Sequence, residues 1–390
     1  MQQKIATINE IKMRIQHRHK VNQELSLFRL AEINWFIVII MAAIASIGLA
    51  MMFSAGGGEN TIYFTQQLTR FAFSFAVMIM LAVIPISMLM NYAYVFYFGC
   101  LFVLIAVDIA GHIGMGAQRW LKLGGFNLQP SEFMKLAVIL VLARYFNQVH
   151  YEDLKRPSFL IIPIMLIILP AILILRQPNL GTTTILMCVG AIMLFMAGVQ
   201  WRYFFGVSIA VLSATPVIWH FMHSYQKRRV LTFLDPQQDP LGAGYNILQS
   251  MIAIGSGGFL GKGYLQGSQS QLNFLPEKHT DFVFTMLAEE FGFLGSISLL
   301  LLYILLLGSG VMVALRSRST FGSMVAIGVV ALIFIHILIN CAMVMGMLPV
   351  VGVPLPLMSY GGSIMFSTVF AVGLLLNAYV HRNEIPTSNL

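Results

Sequence analysis

Charged side chains are scarce in this chain of 390 residues. Only 10% of the residues are Asp, Glu, Lys or Arg, whereas 58% are apolar, and the mean hydropathy is +0.81. Soluble domains carry roughly 25% charged and 45–50% apolar residues, so this composition excludes a soluble protein. Several apolar runs reach the roughly 20 residues that a helix needs to cross a bilayer, and they lack the alternation of barrel strands. The sequence therefore predicts an all-α, polytopic membrane protein.

Cysteine and acidic residues are also few. Cys100, Cys188 and Cys341 lie inside apolar runs, and an odd number at such spacings predicts neither a disulfide framework nor a metal site. The formal net charge is +8, but the basic residues concentrate before the first apolar run and in short loops. That distribution follows the positive-inside rule and predicts no nucleic-acid partner. The first apolar run is about twenty residues long and follows a polar segment of about thirty residues, which favours a retained span over a removed signal peptide.

The apolar runs predict ten spans with both termini in the cytoplasm. A basic cytoplasmic tail covers residues 1–33, the membrane domain residues 34–382, and a second cytoplasmic tail residues 383–390. A long extracytoplasmic loop, residues 222–280, separates spans seven and eight. The first seven spans run over about 35–53, 70–84, 92–110, 131–146, 159–175, 182–197 and 203–221. Span eight follows residues 275–282 and has its inner end at Arg316 and Arg318, and spans nine and ten run over about 323–347 and 358–380.

Acid, base and imidazole gather in LPEKHTDF at 275–282, directly before span eight. Ionisable groups at a membrane boundary indicate a functional site. We expect Asp281 to act as a general base, with Lys278 and His279 as substrate contacts. The helix dipole would keep Asp281 ionised while burial would raise its basicity, and the sequence leaves open which effect is larger. The alternative is a helix start that Thr280 caps, with Asp281 serving only the dipole.

A second polar group lies at the start of span four, in QPSEFMK at 129–135. Glu132 and Lys135 are one turn apart on the same face, so they can neutralise each other as an ion pair. A lysine in the first helical turn is opposed by the macrodipole, which favours instead an anion outside the helix. Arg119 and Arg176 lie at the same outer end, where guanidinium groups can hold a phosphate.

Two segments predict irregular backbone at membrane depth. Residues 255–263, GSGGFLGKG, depart from a phosphate-binding loop at both ends, so we reject ATP binding and expect a turn packed on the bundle. Pro349, Pro354 and Pro356 prevent an uninterrupted helix, and such backbone is tolerated where it is buried in protein or lines a cavity.

Five separated motifs together resemble one family, the SEDS proteins of bacterial cell-wall synthesis. They are GAQRW at 116–120, QPSEFMK at 129–135, RQPNLGT at 176–182, LPEKHTDF at 275–282 and GVPLPLMSYGGS at 352–363. The residues of the last two motifs resemble those of the elongation members, typified by RodA, more than those of the division members, typified by FtsW. By this resemblance Asp281 is the essential acid, and Arg119, Glu132, Lys135 and Ser359 are substrate-binding residues. One departure is Asn179, where the family usually has Asp.

The resemblance implies a ten-span peptidoglycan glycosyltransferase of the bacterial cytoplasmic membrane that polymerises lipid II at the outer face. It implies a class B penicillin-binding protein and other elongation-complex proteins as partners, and leaves open a bound divalent cation. The implied reaction inverts the donor sugar and releases undecaprenyl pyrophosphate, with Asp281 as base. Three alternatives stay open at this point: a lipid II flippase, a division-specific polymerase, and a non-catalytic scaffold. A flippase would need polar residues through the midplane of the bilayer, whereas these spans carry theirs mainly at the outer end.

Overall fold

The computed structural model describes residues 29–59, 62–110, 112–114, 117–123, 126–149, 152–153, 156–222, 224–238, 242–272, 274–275 and 277–386. Most of the basic tail predicted for 1–33 and the end of the tail predicted for 383–390 lie outside these residues. The helices are α1 (Trp35–Ala55), α2 (Ile62–Val83), α3 (Ile86–Ala110), α4 (Pro130–Gln148), α5 (Pro157–Arg176), α6 (Leu180–Met196), α7 (Trp201–Phe221), α8 (Ser224–Leu234), α9 (Ala243–Gly257), α10 (Ser268–Gln271), α11 (Val283–Arg316), α12 (Thr320–Val344) and α13 (Gly362–Val380).

Each of the ten predicted spans corresponds to a helix: α1 to α7 and α11 to α13. Among the described residues, seven of these helices are long and apolar enough to cross a membrane by length and composition. The predicted start of α2 at Arg70 was eight residues late, because the helix begins at Ile62. Helix α13 begins at Gly362 rather than near Met358, because the prolines before it keep the chain non-helical. The prediction of a polytopic all-α protein is confirmed.

Helices α4, α12 and α13 form the centre of the bundle. Most residues of these three helices are buried, and α12 packs against both α4 and α11. The outer helices α5 and α7 instead expose large apolar side chains such as Ile161, Met165 and Leu212. Exposed apolar stripes on helices of this length are suited to contact with lipid chains.

A small antiparallel sheet lies between α3 and α4, which the sequence did not predict. Strand β1 (His112–Gly114) pairs with β2 (Ala117–Leu123), and β2 pairs with β3 (Phe126–Leu128). Its register sets Ile113 opposite Gln118 and Lys122 opposite Asn127. The sheet matters for the site because β2 carries Arg119.

The segment predicted as a long loop, residues 222–280, is largely helical where it is described. It contains α8, a short 3-10 helix at Pro236–Gln238, α9 and α10. Helix α9 packs along α11 and also contacts α12, and its Ser250 hydroxyl hydrogen-bonds Thr285 of α11 at 2.7 Å. The segment is therefore a folded cap on the bundle rather than an open loop.

Helix α11 is kinked at Gly292, and the glycine-rich segment 258–263 fills the kink. Gly292 has φ of 64° and ψ of −157°, a conformation that interrupts the helical hydrogen bonds. A Cβ on Gly261 would overlap the Glu290 carbonyl, so only glycine allows this approach. The released backbone groups are satisfied by bonds between the two segments: Lys262 N to Glu289 O at 3.0 Å, Gly263 N to Glu290 O at 3.0 Å, Phe293 N to Gly258 O at 2.9 Å and Leu294 N to Phe259 O at 3.1 Å. The predicted turn packed on the bundle is thus what these residues form.

Candidate active site

The stretch 277–282 forms a tight turn that ends at α11. The main-chain oxygen of Glu277 accepts hydrogen bonds from Thr280 N at 3.2 Å and Phe282 N at 3.3 Å. The Thr280 hydroxyl donates to Glu277 Oε2 at 2.7 Å, while Phe282 occupies the N-cap of α11 without a side-chain cap bond. The sequence alternative in which Thr280 caps the helix is therefore wrong. In the described part of the chain no hydrogen bond reaches the Asp281 carboxylate, which is partly exposed.

Asp281 is held against the proline-rich segment by one amide from α12. Asn340 Nδ2 donates to Asp281 O at 2.8 Å and to Val353 O at 2.7 Å. Next to Val353, Gly352 adopts a φ of +70°, and a Cβ there would lie 3.2 Å from Asp281 Oδ2. Asn340 thus fixes the main chain of Asp281 relative to the proline-rich segment. The missing side chain of Gly352 leaves the space that the Asp281 carboxylate occupies.

Burial raises the pKa of Asp281 to about 7. The negative charge of Glu277 contributes to this increase in the pKa, whereas Arg229 of α8 opposes it. Burial is therefore the largest contribution to the shift in the pKa of Asp281. A carboxyl group with a pKa near the working pH is suited to general base catalysis, because it is partly ionised and still basic.

Lys278 and His279 lie in the same turn, as predicted, and both are partly exposed. Burial lowers the pKa of Lys278, and the charge of Glu290 opposes that shift. Burial also lowers the pKa of His279, with a raising contribution from Glu277 and a lowering one from Lys278. The His279 main-chain oxygen accepts from Tyr360 N at 2.8 Å, which joins the acid turn to the last of the five motifs.

Gly352→Ala is expected to reduce the activity of this site without unfolding the chain. The new methyl group would crowd Asp281 Oδ2 and would force an L residue into a left-handed conformation, at a cost of about 1 kcal/mol. Gly57→Ala is the matched control, because Gly57 also has a positive φ of +76° but the nearest atom to its Cβ position is 3.9 Å away. Turnover and thermal unfolding of both variants separate the two effects. Equal losses of turnover in both would contradict a specific role for Gly352.

Arg119 binds the turn between α5 and α6 rather than an open surface. Its Nε donates to Gln177 O at 2.9 Å, and its Nη2 donates to Pro178 O. In the same turn, the Cβ position of Gly181 lies 3.1 Å from Val351 O, beside the segment that holds Asp281. These contacts bring Arg119, the 176–182 turn and the segment that holds Asp281 together in space.

Glu132 and Lys135 lie inside the bundle, which corrects the prediction that they face an external anion. Lys135 is 1% exposed, and its Nζ donates to Glu132 Oε1 at 2.8 Å and to His336 Nε2 at 2.9 Å. His336 Nδ1 lies 2.7 Å from Leu332 O, so Nδ1 carries the proton and Nε2 accepts. Ser367 donates to Glu132 Oε2 at 2.9 Å. The cluster joins α4, α12 and α13, and the ion-pair alternative is the one that the structure contains.

Ser359 is also buried rather than available to a ligand. It is 1% exposed, and its hydroxyl accepts from Leu355 N at 2.7 Å across the proline-rich turn. Gln67 Nε2 of α2 donates to Ser359 O at 3.0 Å. These contacts correct the predicted substrate contact: Ser359 shapes the segment that precedes α13.

The described residues contain no group of three or more His, Cys, Asp and Glu side chains that could hold a metal ion. Glu277 and Asp281 are close enough to influence each other, but two carboxylates do not make such a group. The divalent cation that the sequence left open is therefore not assigned to any protein ligands among these described residues.

Residues 28–384 match the family model of the FtsW, RodA and SpoVE proteins, described as cell cycle proteins. The chain belongs to this family, the SEDS proteins. It is 43% identical to peptidoglycan glycosyltransferase MrdB of Escherichia coli K12 over 354 residues, 90% of this chain and 94% of that one. It is 36% identical to the probable peptidoglycan glycosyltransferase FtsW of Trichlorobacter lovleyi over 361 residues, again 90% of this chain and 94% of that one.

Two solved structures share the SEDS fold. One belongs to a peptidoglycan synthase complex that coordinates polymerization and crosslinking; it has a TM-score of 0.80 and 29% identity and covers 90% of this chain and 99% of that one. The other is a point mutant of the Thermus thermophilus rod shape determining protein RodA, with a TM-score of 0.68, 25% identity and the same coverage of both chains. The membership indicated by the five motifs is confirmed.

The structure gives a physical reason why this SEDS chain has Asn179 in place of the usual Asp. Asn179 is the N-cap of α6, and its side-chain oxygen accepts from Thr182 N at 3.4 Å. Asn and Asp are nearly equivalent at an N-cap, so the exchange preserves this contact.

Two residues of the site were missed by sequence reasoning, His336 and Asn340. They lie one turn apart within the apolar run of α12. Polar side chains within a membrane span are a signal in themselves, because each needs a partner there. Their partners, Lys135 and Asp281, are 201 and 59 residues away in the sequence, which is why the pairing itself was not visible.

Proposed function

We propose that this chain is a peptidoglycan glycosyltransferase that polymerises lipid II into glycan strands at the outer face of the cytoplasmic membrane. The observation that carries the proposal is Asp281, a partly exposed carboxylate at the end of a membrane helix with a pKa of about 7. The names of its relatives support the reaction class, since both curated relatives described above are peptidoglycan glycosyltransferases.

The reaction is an inverting displacement with one general base. The acceptor sugar hydroxyl attacks the anomeric carbon of the donor, and the bond from that carbon to the pyrophosphate oxygen breaks. Asp281 takes the proton of the attacking hydroxyl, and the electron pair of the broken bond leaves on undecaprenyl pyrophosphate. The α-linked donor thereby becomes a β-1,4 link. Proton transfer of this kind contributes typically about 10²–10⁴-fold to a rate.

The departing pyrophosphate requires positive charge rather than an acid. Lys278 lies three residues before Asp281, and Arg229 of α8 is close enough to lower the pKa of Asp281. These two cations support the proposal better than Lys135, whose ammonium is buried and bonded to Glu132 and His336. Arg119 supports the site by fixing the 176–182 turn.

A role in cell elongation is favoured over one in division. The chain is 43% identical to MrdB but 36% identical to FtsW of Trichlorobacter lovleyi, and its fold matches that of a rod shape determining protein. The related complex that couples polymerization to crosslinking supports a class B penicillin-binding protein as partner. Other elongation-complex proteins, and both termini in the cytoplasm, remain part of the proposal.

The transport alternative receives less support from the bundle interior. The polar groups there are linked by hydrogen bonds across three central helices, from His336 through Lys135 and Glu132 to Ser367. A translocated headgroup would have to break these buried bonds, which would leave a charge without a partner.

The experiment that tests the proposal uses purified full-length protein in lipid vesicles that contain lipid II. We expect glycan strands to accumulate, with undecaprenyl pyrophosphate released in proportion. Movement of lipid II across the bilayer without any polymer would contradict the proposal and favour the transporter. Absence of both would favour the scaffold.

A further inference from the structure

Beside the acid turn, three aromatic rings from three distant parts of the chain meet. Tyr63 of α2 stacks on His279, with ring centroids 4.7 Å apart and planes inclined by 25°. Tyr360 meets Tyr63 edge-on at 5.1 Å and lies 6.0 Å from His279. Tyr63 is nevertheless 44% exposed, so a ligand can reach it. We call Tyr63, His279 and Tyr360 the aromatic platform.

A guanidinium group borders the platform. Arg70 Cζ lies 4.9 Å from the centroid of the Tyr360 ring, and its Nη2 donates to Gln66 Oε1 at 3.1 Å. Arg70 follows Tyr63 by seven residues on α2, a rise of about 10 Å toward the bilayer. A charged side chain within a membrane span costs free energy unless it pairs with another group or binds a ligand. The Arg70 side chain is only partly exposed.

We propose that the aromatic platform and Arg70 together bind a lipid-linked saccharide, with a sugar ring on Tyr63 and a phosphate at Arg70. Aromatic rings carry a negative face that attracts the C–H groups of a sugar ring. A guanidinium suits a phosphate because its planar fork offers paired donors. The order along α2, ring outermost and cation deeper, matches a molecule whose sugar lies in water and whose phosphate lies at the lipid headgroups.

The platform adjoins the proposed base, since His279 precedes Asp281 by two residues and Tyr360 N holds the His279 main chain. The inference rests on the proposed function, and it adds a subsite in which Tyr63 and Arg70 bind substrate without taking part in proton transfer. The site needs no rearrangement of the buried Glu132 and Lys135 pair.

The test measures equilibrium binding of two probes, lipid II and undecaprenyl pyrophosphate, to full-length protein in the Asp281→Asn background, where substrate is not consumed. We expect Tyr63→Ala to weaken lipid II binding about tenfold and to leave undecaprenyl pyrophosphate binding unchanged, since tenfold corresponds to about 1.4 kcal/mol. Arg70→Gln should weaken both probes, and Arg70→Lys should restore part of the loss. Tyr63→Phe should bind as wild type, because it keeps the ring.

Tyr92→Ala is the matched control, an aromatic residue of α3 that is 58% exposed and outside the platform. Unchanged lipid II binding in Tyr63→Ala, or an equal loss for both probes, would overturn the inference. In the otherwise wild-type chain, KM for lipid II should rise in Tyr63→Ala with kcat little changed. A chain that binds lipid II through Tyr63 and yet makes no polymer would contradict the proposed function alone, whereas failure to bind lipid II at all would overturn both.

Discussion

Asp281→Asn is expected to lower the rate of lipid II polymerisation by roughly 10²–10⁴-fold, the range that general base catalysis contributes. Asparagine keeps the size of the side chain but cannot accept a proton from the attacking hydroxyl. The turn around it should persist, because Asn340 binds the main-chain oxygen of residue 281 and not its carboxylate. The measurement is glycan strand formation by purified protein, alongside thermal unfolding of the same samples.

Asp235→Asn provides the matched control for this change. Asp235 lies after α8, and its side chain accepts a hydrogen bond from Gln237 N at 3.2 Å. We expect its polymerisation rate to stay close to wild type. Full activity in Asp281→Asn would remove Asp281 from the chemistry, while a parallel loss of thermal stability would show that the residue serves the fold.

Lys135→Met is expected to destabilise the chain by about 3–5 kcal/mol, the cost of leaving one member of a buried ion pair without its partner. Glu132 would keep only the Ser367 hydroxyl, and His336 Nε2 would lose its donor. The free energy of unfolding in mixed detergent micelles measures this effect. We expect the loss to appear as instability first and as lost activity only in consequence.

Two variants act as controls for the buried cluster. The double variant Glu132→Gln with Lys135→Met should recover part of the stability, because no uncompensated charge remains. Lys262→Met should cost much less, since Lys262 is 28% exposed and its partner Glu289 also accepts from Ser268 and Gln269. A stable Lys135→Met variant that has lost only lipid II binding would instead restore Lys135 as a substrate contact.

Much of the helical architecture could be predicted, because each membrane-spanning helix appears in the sequence as a long run of apolar residues. The helices from Trp35 and from Pro157 begin within about two residues of their predicted starts. The segment 222–280 was the exception: α9 has an apolar face that packs on α11, but polar residues interrupt it too often to read as a span. The sequence period alone does not distinguish such a helical cap from a loop.

The site could be located from the sequence, but its partnerships could not. The charge-rich turn that holds Asp281 was found because charge is scarce elsewhere. The spacing of Glu132 and Lys135 allowed an ion pair, but the position of Lys135 in the first helical turn favoured an external anion instead. Burial of Lys135 against His336 depends on how α4 and α12 pack, which no local pattern contains. Ser359 was assigned from resemblance, and its hydroxyl proved to bond the chain four residues earlier.

The pH dependence of polymerisation tests the central role of Asp281 most directly. Because burial raises its pKa to about 7, the carboxylate is mostly protonated below that pH and mostly ionised above it. A base must be ionised, so kcat should rise with pH through about 7 and level off above it. In Asp281→Asn the residual rate should lose this inflection. A wild-type profile that is flat between about pH 5.5 and 8, or an inflection that survives in Asp281→Asn, would contradict the assignment of Asp281 as the base.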